Sequence, residues 1–429
     1  MKRFHLVSLG CPKNLVDSER IADIFVRNGY IFTSEIECDV VIINTCSFLS
    51  SATRESDRVI KKFIDFKKKG AIKKVVVAGC MVSRYKQSIL KRYPDVDAFV
   101  DVESLDGLER FVTTRSSQRL ISTSSYFHHS SRFLLTKNHV AYLKISEGCN
   151  NMCSYCVIPN IRGYFRSRNI EELIAEAKAL ADCGVRELVL ISQDTLRYGS
   201  DIYGKKSIIS LIERLEKIPS LSWIRLMYLY PSEICRDLIE YMKNSKKLLP
   251  YFDIPLQHAS SKILRLMNRR YDEVMMRDLL DMIFSEIKDA AVRTNFIVGF
   301  PYETESDFRK VVRIIDDYPF AYVNLFKYSR EKGSSSYFFK QIPSNIKNER
   351  YKILLSKASI KLNELNRKIQ GRDFVVIADS QRCARSYMDA PDIDGIFETD
   401  RDMRLGCFYR VNVVSAYGRL RRCRVIDEV

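Results

Sequence analysis

The sequence predicts an α/β protein in three parts: an N-terminal parallel-sheet domain, a central open (βα)6 partial barrel, and a small C-terminal all-β barrel of the OB-like kind. Three observations carry this. Up to residue 112, and again from Val140, short Val/Ile-rich apolar runs alternate with stretches of helical period, the pattern of βαβ units around a parallel sheet. Between Val140 and residue 345 that alternation repeats six times, too few for a closed eight-fold barrel but enough for an open one. Beyond Gly371 the helical period gives way to short alternating strands.

Within residues 1–112 the strand candidates are Phe4–Leu9, Asp39–Asn44 and Lys73–Ala78, followed by helical patterns at Asn14–Arg27, Ala52–Lys68 and Arg84–Arg92. Residues 113–139 are rich in Ser, Thr and His, lose periodicity and read as a linker, with the adjacent His128 and His129 solvated in it. Residues 140–345 give strands at Val140–Ile145, Glu187–Ile191, Trp223–Leu229, Tyr251–Ile254, Arg293–Val298 and Tyr322–Phe326, with a helical pattern or pair of patterns between successive ones. Residues 346–370 form a connecting amphipathic helix with apolar positions at Ile353, Leu354, Ala358, Leu362, Leu365 and Ile369, and Gly371 stands where a left-handed cap is expected. Residues 371–429 supply strands at Phe374–Ala378, Gly395–Glu398, Phe408–Val414 and Arg422–Ile426.

The net charge of +17 points to an anionic partner such as nucleic acid or a nucleoprotein surface. From Arg372 onward, however, ten Arg face ten Asp and Glu with no Lys or His, so the excess positive charge lies upstream. No apolar run approaches the roughly 18 residues a transmembrane helix needs, and Met1–Val7 reads as a buried strand rather than a secretory signal. A cytoplasmic protein is expected, in which twelve cysteines stay reduced and some serve metal chemistry. No coiled-coil heptads occur, and a monomer is expected.

Cys149, Cys153 and Cys156 form a C-x3-C-x2-C run, and three soft thiolates so crowded suit an iron–sulfur cluster. A four-iron cubane takes four outer ligands, and no fourth cysteine follows nearby, which leaves one iron open to a small molecule. Cys11, Cys46 and Cys80 each follow one of the first three strands. Beyond the carboxyl ends of a parallel sheet such residues converge. A single strand-end cysteine reads as a buried thiol; three at equivalent positions read as a second cluster site. Cys38, Cys183, Cys235, Cys383, Cys407 and Cys423 show no paired ligand spacing; Cys38 reads as structural and the other five as small buried hydrophobes. Candidate polar groups at the rim of the partial barrel are Ser192 and Gln193 after its second strand, and Gln257 and His258 after its fourth. Asn295 lies on the fifth strand and Gly299 follows it, where a flat ring can approach the backbone. Tyr155, between the last two cysteines of the run, can pack over a bound ligand or shield the cluster. Each of these also reads as a residue that satisfies its own loop.

Cys149–Cys156 followed by Ile161-Arg162-Gly163 and Arg166-Ser167-Arg168 resembles the signature of the radical S-adenosylmethionine (radical SAM) methylthiotransferase family. Ser8–Asn14, Asn44-Thr45-Cys46 and Ala78-Gly79-Cys80 are similar to that family's N-terminal cluster domain, Pro255–Ser260 and Gly299-Phe300-Pro301 to its partial barrel, and the tail to its TRAM barrel. Within the family, Cys11–Glu19, Gln257-His258-Ala259 and Arg385–Gly395 resemble the RimO branch. Tyr302 departs from the pattern, where the family usually has glycine, and a local loop change is expected.

The resemblance implies two [4Fe-4S] clusters, one held by Cys149, Cys153 and Cys156 and one by Cys11, Cys46 and Cys80. S-adenosylmethionine on the first would yield a 5′-deoxyadenosyl radical that takes hydrogen from the β-carbon of an aspartate in ribosomal protein S-12. The second would present the sulfur, which a further S-adenosylmethionine methylates before transfer. Tyr155, Ser192, Gln193, Asn295 and Gly299 are the cofactor-side candidates, and Gln257 and His258 the substrate-side ones. No catalytic acid or base beyond the clusters is implied. Two other readings stand beside this one: the tRNA-modifying, MiaB-like branch, and a non-catalytic iron–sulfur protein that binds RNA or senses redox state. A tail gripping RNA phosphates is expected to be basic, and the balanced tail favours a protein substrate.

Overall fold

The computed structural model describes residues 1–102, 104–114, 120–121 and 132–429. Much of the expected linker, His128 and His129 included, lies outside the described residues. The chain divides into two compact units. The first comprises Met1–Thr136, Tyr142–Ala179 and Glu331–Ser334; the second comprises Lys137–Ala141, Leu180–Arg330 and Ser335–Val429.

In the first unit β1 (Lys2–Ser8), β2 (Tyr30–Phe32), β3 (Cys38–Thr45), β4 (Ile72–Gly79), β5 (Ala98–Val100) and β6 (Leu120–Ile121) form a sheet in the order β2-β1-β3-β4-β5-β6. Its strands pair in parallel. Helices α1 (Pro12–Arg27), α2 (Ser50–Lys68), α3 (Cys80–Tyr85), α4 (Ser88–Arg92) and α5 (Leu105–Thr114) lie between the strands in sequence. The inner strands read as unbroken apolar runs because helices cover both faces. Val40 and Ile42 pack with Ile24 and Phe25 of α1, while Val41 and Ile43 pack with Ile60, Phe63 and Ile64 of α2. The helix expected over Arg84–Arg92 is two pieces, because Lys86 adopts a left-handed φ of 45° between α3 and α4. The winding reverses between β1 and β3, the kind of position beyond whose carboxyl ends open α/β sheets bind ligands.

The same unit contains most of β7 (Val140–Lys144), the two-residue antiparallel ribbon of β8 (Ser146–Glu147) and β9 (Arg166–Ser167), helix α6 (Ile158–Arg162), and α7 (Ile170–Asp182) as far as Ala179. Glu176 of α7 is buried among arginines, 2.7 Å from Arg168, 3.2 Å from Arg132 and 3.6 Å from Arg20, and Arg132 also reaches Glu19 at 3.1 Å. Burial pushes the Glu176 carboxyl up, but the guanidinium groups of Arg168, Arg132 and Arg20 hold it at about 2.

The second unit carries β10 (Glu187–Ile191), α8 (Ile208–Glu216), β11 (Trp223–Leu226), α9 (Arg236–Asn244), β12 (Tyr251–Gln257), α10 (Ser261–Leu266), α11 (Glu273–Glu286), β13 (Ala291–Val298), α12 (Glu305–Asp317) and β14 (Tyr322–Lys327). β10 and β11 pair in parallel, in a sheet whose third strand is β7, beginning with this unit's Val140 and Ala141; β12, β13 and β14 form a second parallel sheet. The Leu229 N–H donates to the Asp253 carbonyl at 2.9 Å and links the two sheets, so the strands follow chain order as an open partial barrel.

Helix α13 (Ser344–Ile369) ends before Gly371, which has the expected left-handed φ of 79°. Its apolar face is narrower than the period suggests: Leu354 and Ile369 are buried, but Ile353 is 41% exposed. The tail closes into a barrel of β15 (Asp373–Ala378), β16 (Cys383–Ser386), β17 (Ile396–Thr399), β18 (Phe408–Tyr417) and β19 (Leu420–Glu428), in the order β15-β16-β17-β19-β18. Strand β16 is absent from the sequence expectation, being four residues with arginine and serine in it. Among the five cysteines expected to be buried hydrophobes, only Cys423 is buried; Cys183 and Cys235 are exposed and Cys383 and Cys407 half-buried. Cys183 follows the end of α7 and Cys235 is the N-cap of α9, positions at helix ends rather than on apolar faces.

Charges of the tail close on each other and on the partial barrel. Arg385 is bonded to Asp379 at 2.6 Å and to Glu187 at 2.7 Å; Glu187 accepts from Arg225 at 2.8 Å; and His139 meets Asp379 at 2.8 Å, all of them buried. Arg421, fully buried, bonds Asp389 at 2.6 Å.

Candidate functional site

The first unit gathers the residues that the motifs single out. Cys11 follows β1 and caps α1, Cys46 follows β3, and Cys80 opens α3 after β4. Because β1, β3 and β4 are adjacent and parallel, with Ser8 opposite Asn44 and Thr45 opposite Gly79, these strand ends lie side by side. Two glycines make the approach feasible. A Cβ on Gly10, whose φ is 98°, would lie 2.7 Å from the Cys46 Cβ and 3.0 Å from its Sγ; one on Gly79, φ 92°, would strike Asn44 Oδ1 at 2.1 Å. Cys46 and Cys80 are buried and Cys11 half-buried, which leaves the edge at Cys11 accessible. Burial pushes the Cys80 thiol up to about 12, against the pull of the Arg162 guanidinium beside it, and burial also raises Cys46.

The loop carrying Cys149, Cys153 and Cys156 is held by its own backbone. Gly148 (φ 76°) lies so close to the Tyr164 carbonyl that a Cβ would meet it at 2.1 Å, and the Cys149 N–H donates to the Gly163 carbonyl at 3.2 Å. Backbone N–H groups point at sulfur: Asn151 N–H to Cys149 Sγ at 3.5 Å and Ile158 N–H to Cys156 Sγ at 3.4 Å. Donors of this kind suit thiolates, which are acceptors. Met152, within the loop, is 54% exposed with a φ of 51°, and Tyr155 is half-buried.

The two cysteine sets share a wall. Cys80 packs against Val157 and Ile161, directly after the loop. Arg162 at the end of α6 is buried and donates to Glu147 at 2.8 Å, to Asp17 at 3.1 Å, to Asn14, and to Cys80 Sγ at 3.4 Å. Lys144 completes the network through Asp17 and, at 2.8 Å, Glu147. Glu331 braces the same region: it accepts from the Ser50 N–H at the start of α2 at 2.7 Å and from Arg84 of α3 at 3.2 Å. Sequence reading found the cysteines and quoted Arg162 as part of a motif, but not this network, because its partners lie up to 281 positions apart. Among the described residues no three His, Cys, Asp or Glu side chains close around a single-ion centre. A cubane places its thiolates on separate irons, so its ligands stand further apart than around one ion.

The remaining candidates are in the second unit. Ser192 is buried after β10 and its Oγ accepts from the Asp194 N–H at 2.9 Å; Gln193 beside it is half-buried. Asn295 stands on β13 opposite Asn324. Gly299 has a φ of 74°, and the space beside its α-carbon is taken by Lys347, whose Cγ would be 2.4 Å from a Cβ there. Its N–H donates to Glu303, as does that of Phe300 at 3.2 Å, and Arg350 of α13 bonds the same carboxylate at 2.8 Å. Gln257 ends β12 in the left-handed region, φ 64°, where the register with β13 shifts. His258 is fully buried: its Nδ1 accepts from the Ser260 N–H at 2.9 Å and its Nε2 lies 3.7 Å from Glu303. Tyr302 has a φ of 65°, the conformation glycine adopts most easily, and its ring packs on Phe339 at 5.7 Å.

The Radical SAM superfamily model matches residues 143–315, and the model of the uncharacterized protein family UPF0004 matches residues 3–101. The chain is similar to ribosomal protein uS12 methylthiotransferases RimO along essentially its whole length. The Elusimicrobium minutum protein is 39% identical, over 99% of this chain and 100% of that one. The Aquifex aeolicus protein is 40% identical over 96% and 94%, and the Hydrogenobaculum protein 41% over 97% and 98%. Among solved structures, the radical S-adenosylmethionine methyltransferase TsrM from Kitasatospora setae shares the fold with a TM-score of 0.53 at 11% identity, covering 77% of this chain and 76% of that one.

Proposed function

The chain belongs to the ribosomal protein uS12 methylthiotransferase RimO family, and from that membership we propose that it is a radical SAM methylthiotransferase that adds a methylthio group to the β-carbon of an aspartate in uS12. Its cofactors are two [4Fe-4S] clusters and S-adenosylmethionine. Cys149, Cys153 and Cys156 would hold one cluster; Cys11, Cys46 and Cys80 would hold the other. When bound, the first with S-adenosylmethionine would supply a hydrogen-abstracting radical, and the second would present the sulfur for transfer.

The observation that carries this reading is the convergence of Cys11, Cys46 and Cys80 at three neighbouring strand ends, in the unit that also holds the Cys149–Cys156 loop. The donor set fits the clusters: only thiols, with N–H groups aimed at sulfur and a buried guanidinium beside Cys80. Gly10 and Gly79 keep Cys46 and Cys80 within reach of Cys11, and Val157 and Ile161 keep water from the Cys80 side. Ser192, Gln193 and Asn295 of the second unit and, within its own unit, Tyr155 are the residues proposed for S-adenosylmethionine; beside Gly299 the space expected for a flat ring is filled by Lys347. Gln257, held in a strained conformation of the kind that collects at functional sites, is proposed for the substrate side; His258 is fully buried and held by the Ser260 N–H, so it lies behind the surface a substrate could touch.

The tail supports a protein substrate. Arg385 and Arg421 are buried in ion pairs and withdrawn from any phosphate, whereas Arg419, Arg422 and Arg424 are exposed; the support for a protein substrate is the charge balance of the tail as a whole. We further propose a cytoplasmic monomer that acts near the small ribosomal subunit, a reading supported by the ribosomal protein named for its relatives; separately, no helix among the described residues is long and apolar enough to cross a membrane. Mass spectrometry of a deletion strain tests the substrate: uS12 is expected to lose the methylthio mass and regain it when the gene is restored. Loss from tRNA with uS12 unchanged would refute it. Anaerobic reduction with S-adenosylmethionine is expected to yield 5′-deoxyadenosine, and none would form on a non-catalytic cluster protein.

A further inference from the structure

Arg162 is surrounded by more acceptors than a structural ion pair requires. Its side chain is 1% exposed, its partners Asp17 and Glu147 are also buried, and so is Lys144, which bonds the same two carboxylates. Two cations, Arg162 and Lys144, already balance two carboxylates, Asp17 and Glu147. The guanidinium nevertheless turns Nη2 toward Cys80 Sγ at 3.4 Å, sharing its two hydrogens among that sulfur, Asn14 Oδ1 and Asp17 Oδ2. Asn14 is fixed in this orientation, since its amide nitrogen donates to the Leu9 carbonyl at 2.8 Å and the Thr45 carbonyl at 2.9 Å. The sulfur therefore faces a permanent positive charge in a site where little water can screen it.

We infer that Arg162 is a positioning and electrostatic residue for the cluster held by Cys11, Cys46 and Cys80, hydrogen-bonding the Cys80 sulfur and raising that cluster's reduction potential. Hydrogen bonds to ligating sulfurs and nearby charge set the potential of an iron–sulfur centre. A fixed cation favours the form carrying the extra electron. Glu147 precedes Cys149 by two residues, so the same guanidinium reaches the other loop through a carboxylate rather than through a sulfur. The inference rests on the cluster assignment under "Proposed function".

The test is a redox titration, followed by electron paramagnetic resonance, of the reconstituted full-length C149A/C153A/C156A chain, in which the Cys11, Cys46 and Cys80 set is isolated. Arg162→Gln is expected to shift the midpoint potential to more negative values, and Arg162→Lys, which keeps the charge but not the fork, to shift it less. Because Gln leaves the carboxylates in excess and can compromise folding, R162Q/D17N removes one charge of each sign; having lost the hydrogen bond to Cys80 but kept the charge balance, it is expected to show a smaller shift in the same negative direction. In the complementary C11A/C46A/C80A chain, Arg162→Gln is expected to move the remaining cluster's potential much less. A chain that takes up no iron at Cys11, Cys46 and Cys80 overturns this inference together with the cluster reading. Loaded variants with an unmoved or more positive potential, or equal shifts in both backgrounds, overturn this inference alone.

Discussion

Gly10 and Gly79 precede two cysteines of the N-terminal set; the space beside Gly10 is filled by Cys46, and that beside Gly79 by Asn44 and the Thr45 backbone. Gly10→Ala is expected to destabilise the chain by about 1–3 kcal/mol through overpacking against Cys46. It is also expected to lower iron retention at Cys11, Cys46 and Cys80 while sparing the Cys149 loop. Urea denaturation and iron analysis of the C149A/C153A/C156A background check both effects, and full iron retention would show that the set tolerates displacement. Tyr302 offers the reverse case. Its φ of 65° costs about 1–2 kcal/mol for a residue with a side chain, and the contact with Phe339 returns about 0.5–1.5 kcal/mol. Tyr302→Gly is therefore expected to be near neutral and Tyr302→Ala less stable than Gly by about 1 kcal/mol; equal stabilities would mean that the backbone relaxes there. Such residues were legible in different degrees. The cysteines announce themselves by spacing and by their place after strands. Asn14, Asp17, Lys144 and Arg162 do not, because polar and charged residues most often face water, and only the fold shows that these are buried against one another.

At the scale of elements, buried charge holds neighbours in place. In the first unit Glu176 of α7 answers Arg20 of α1 and the arginines at 132 and 168. Its folded carboxyl is held at about 2 against an ordinary 4.5, so its contribution to stability is complete above about pH 4.5 and fades as pH falls toward 2. Denaturation between pH 5 and pH 3 is expected to show Glu176→Gln as less stable than the wild type at the upper end, with the gap narrowing toward the lower. A gap independent of pH would assign the effect to packing. In the second unit Arg385→Met leaves Glu187 and Asp379 short of a partner, and a loss of about 3–5 kcal/mol is expected from breaking one side of a buried pair. Thermal melting checks it, and an unchanged transition would show that Arg225 and His139 suffice. Strongly apolar elements such as β3 and β4 were legible as unbroken Val/Ile-rich runs. The three-residue β2 and β5 were not, having too few residues to show a period, and the mostly exposed face of α13 could not be told from a packed one.

For the whole molecule, the α/β class agrees with the alternation of the sequence and the family with its motifs, whereas the compact units are two and the first takes in Tyr142–Ala179 and Glu331–Ser334, a chain-distant closure that had to be seen. Glu331, far from the N-terminal sheet in sequence, completes the first unit by bonding α2 and α3. The central claim is that one chain carries two separate three-cysteine cluster sites. Iron and sulfide content of the anaerobically reconstituted wild type, C11A/C46A/C80A and C149A/C153A/C156A tests it most directly. The account predicts two cubanes in the wild type and one in each variant. A variant that loses both clusters, or one that loses neither, would contradict it.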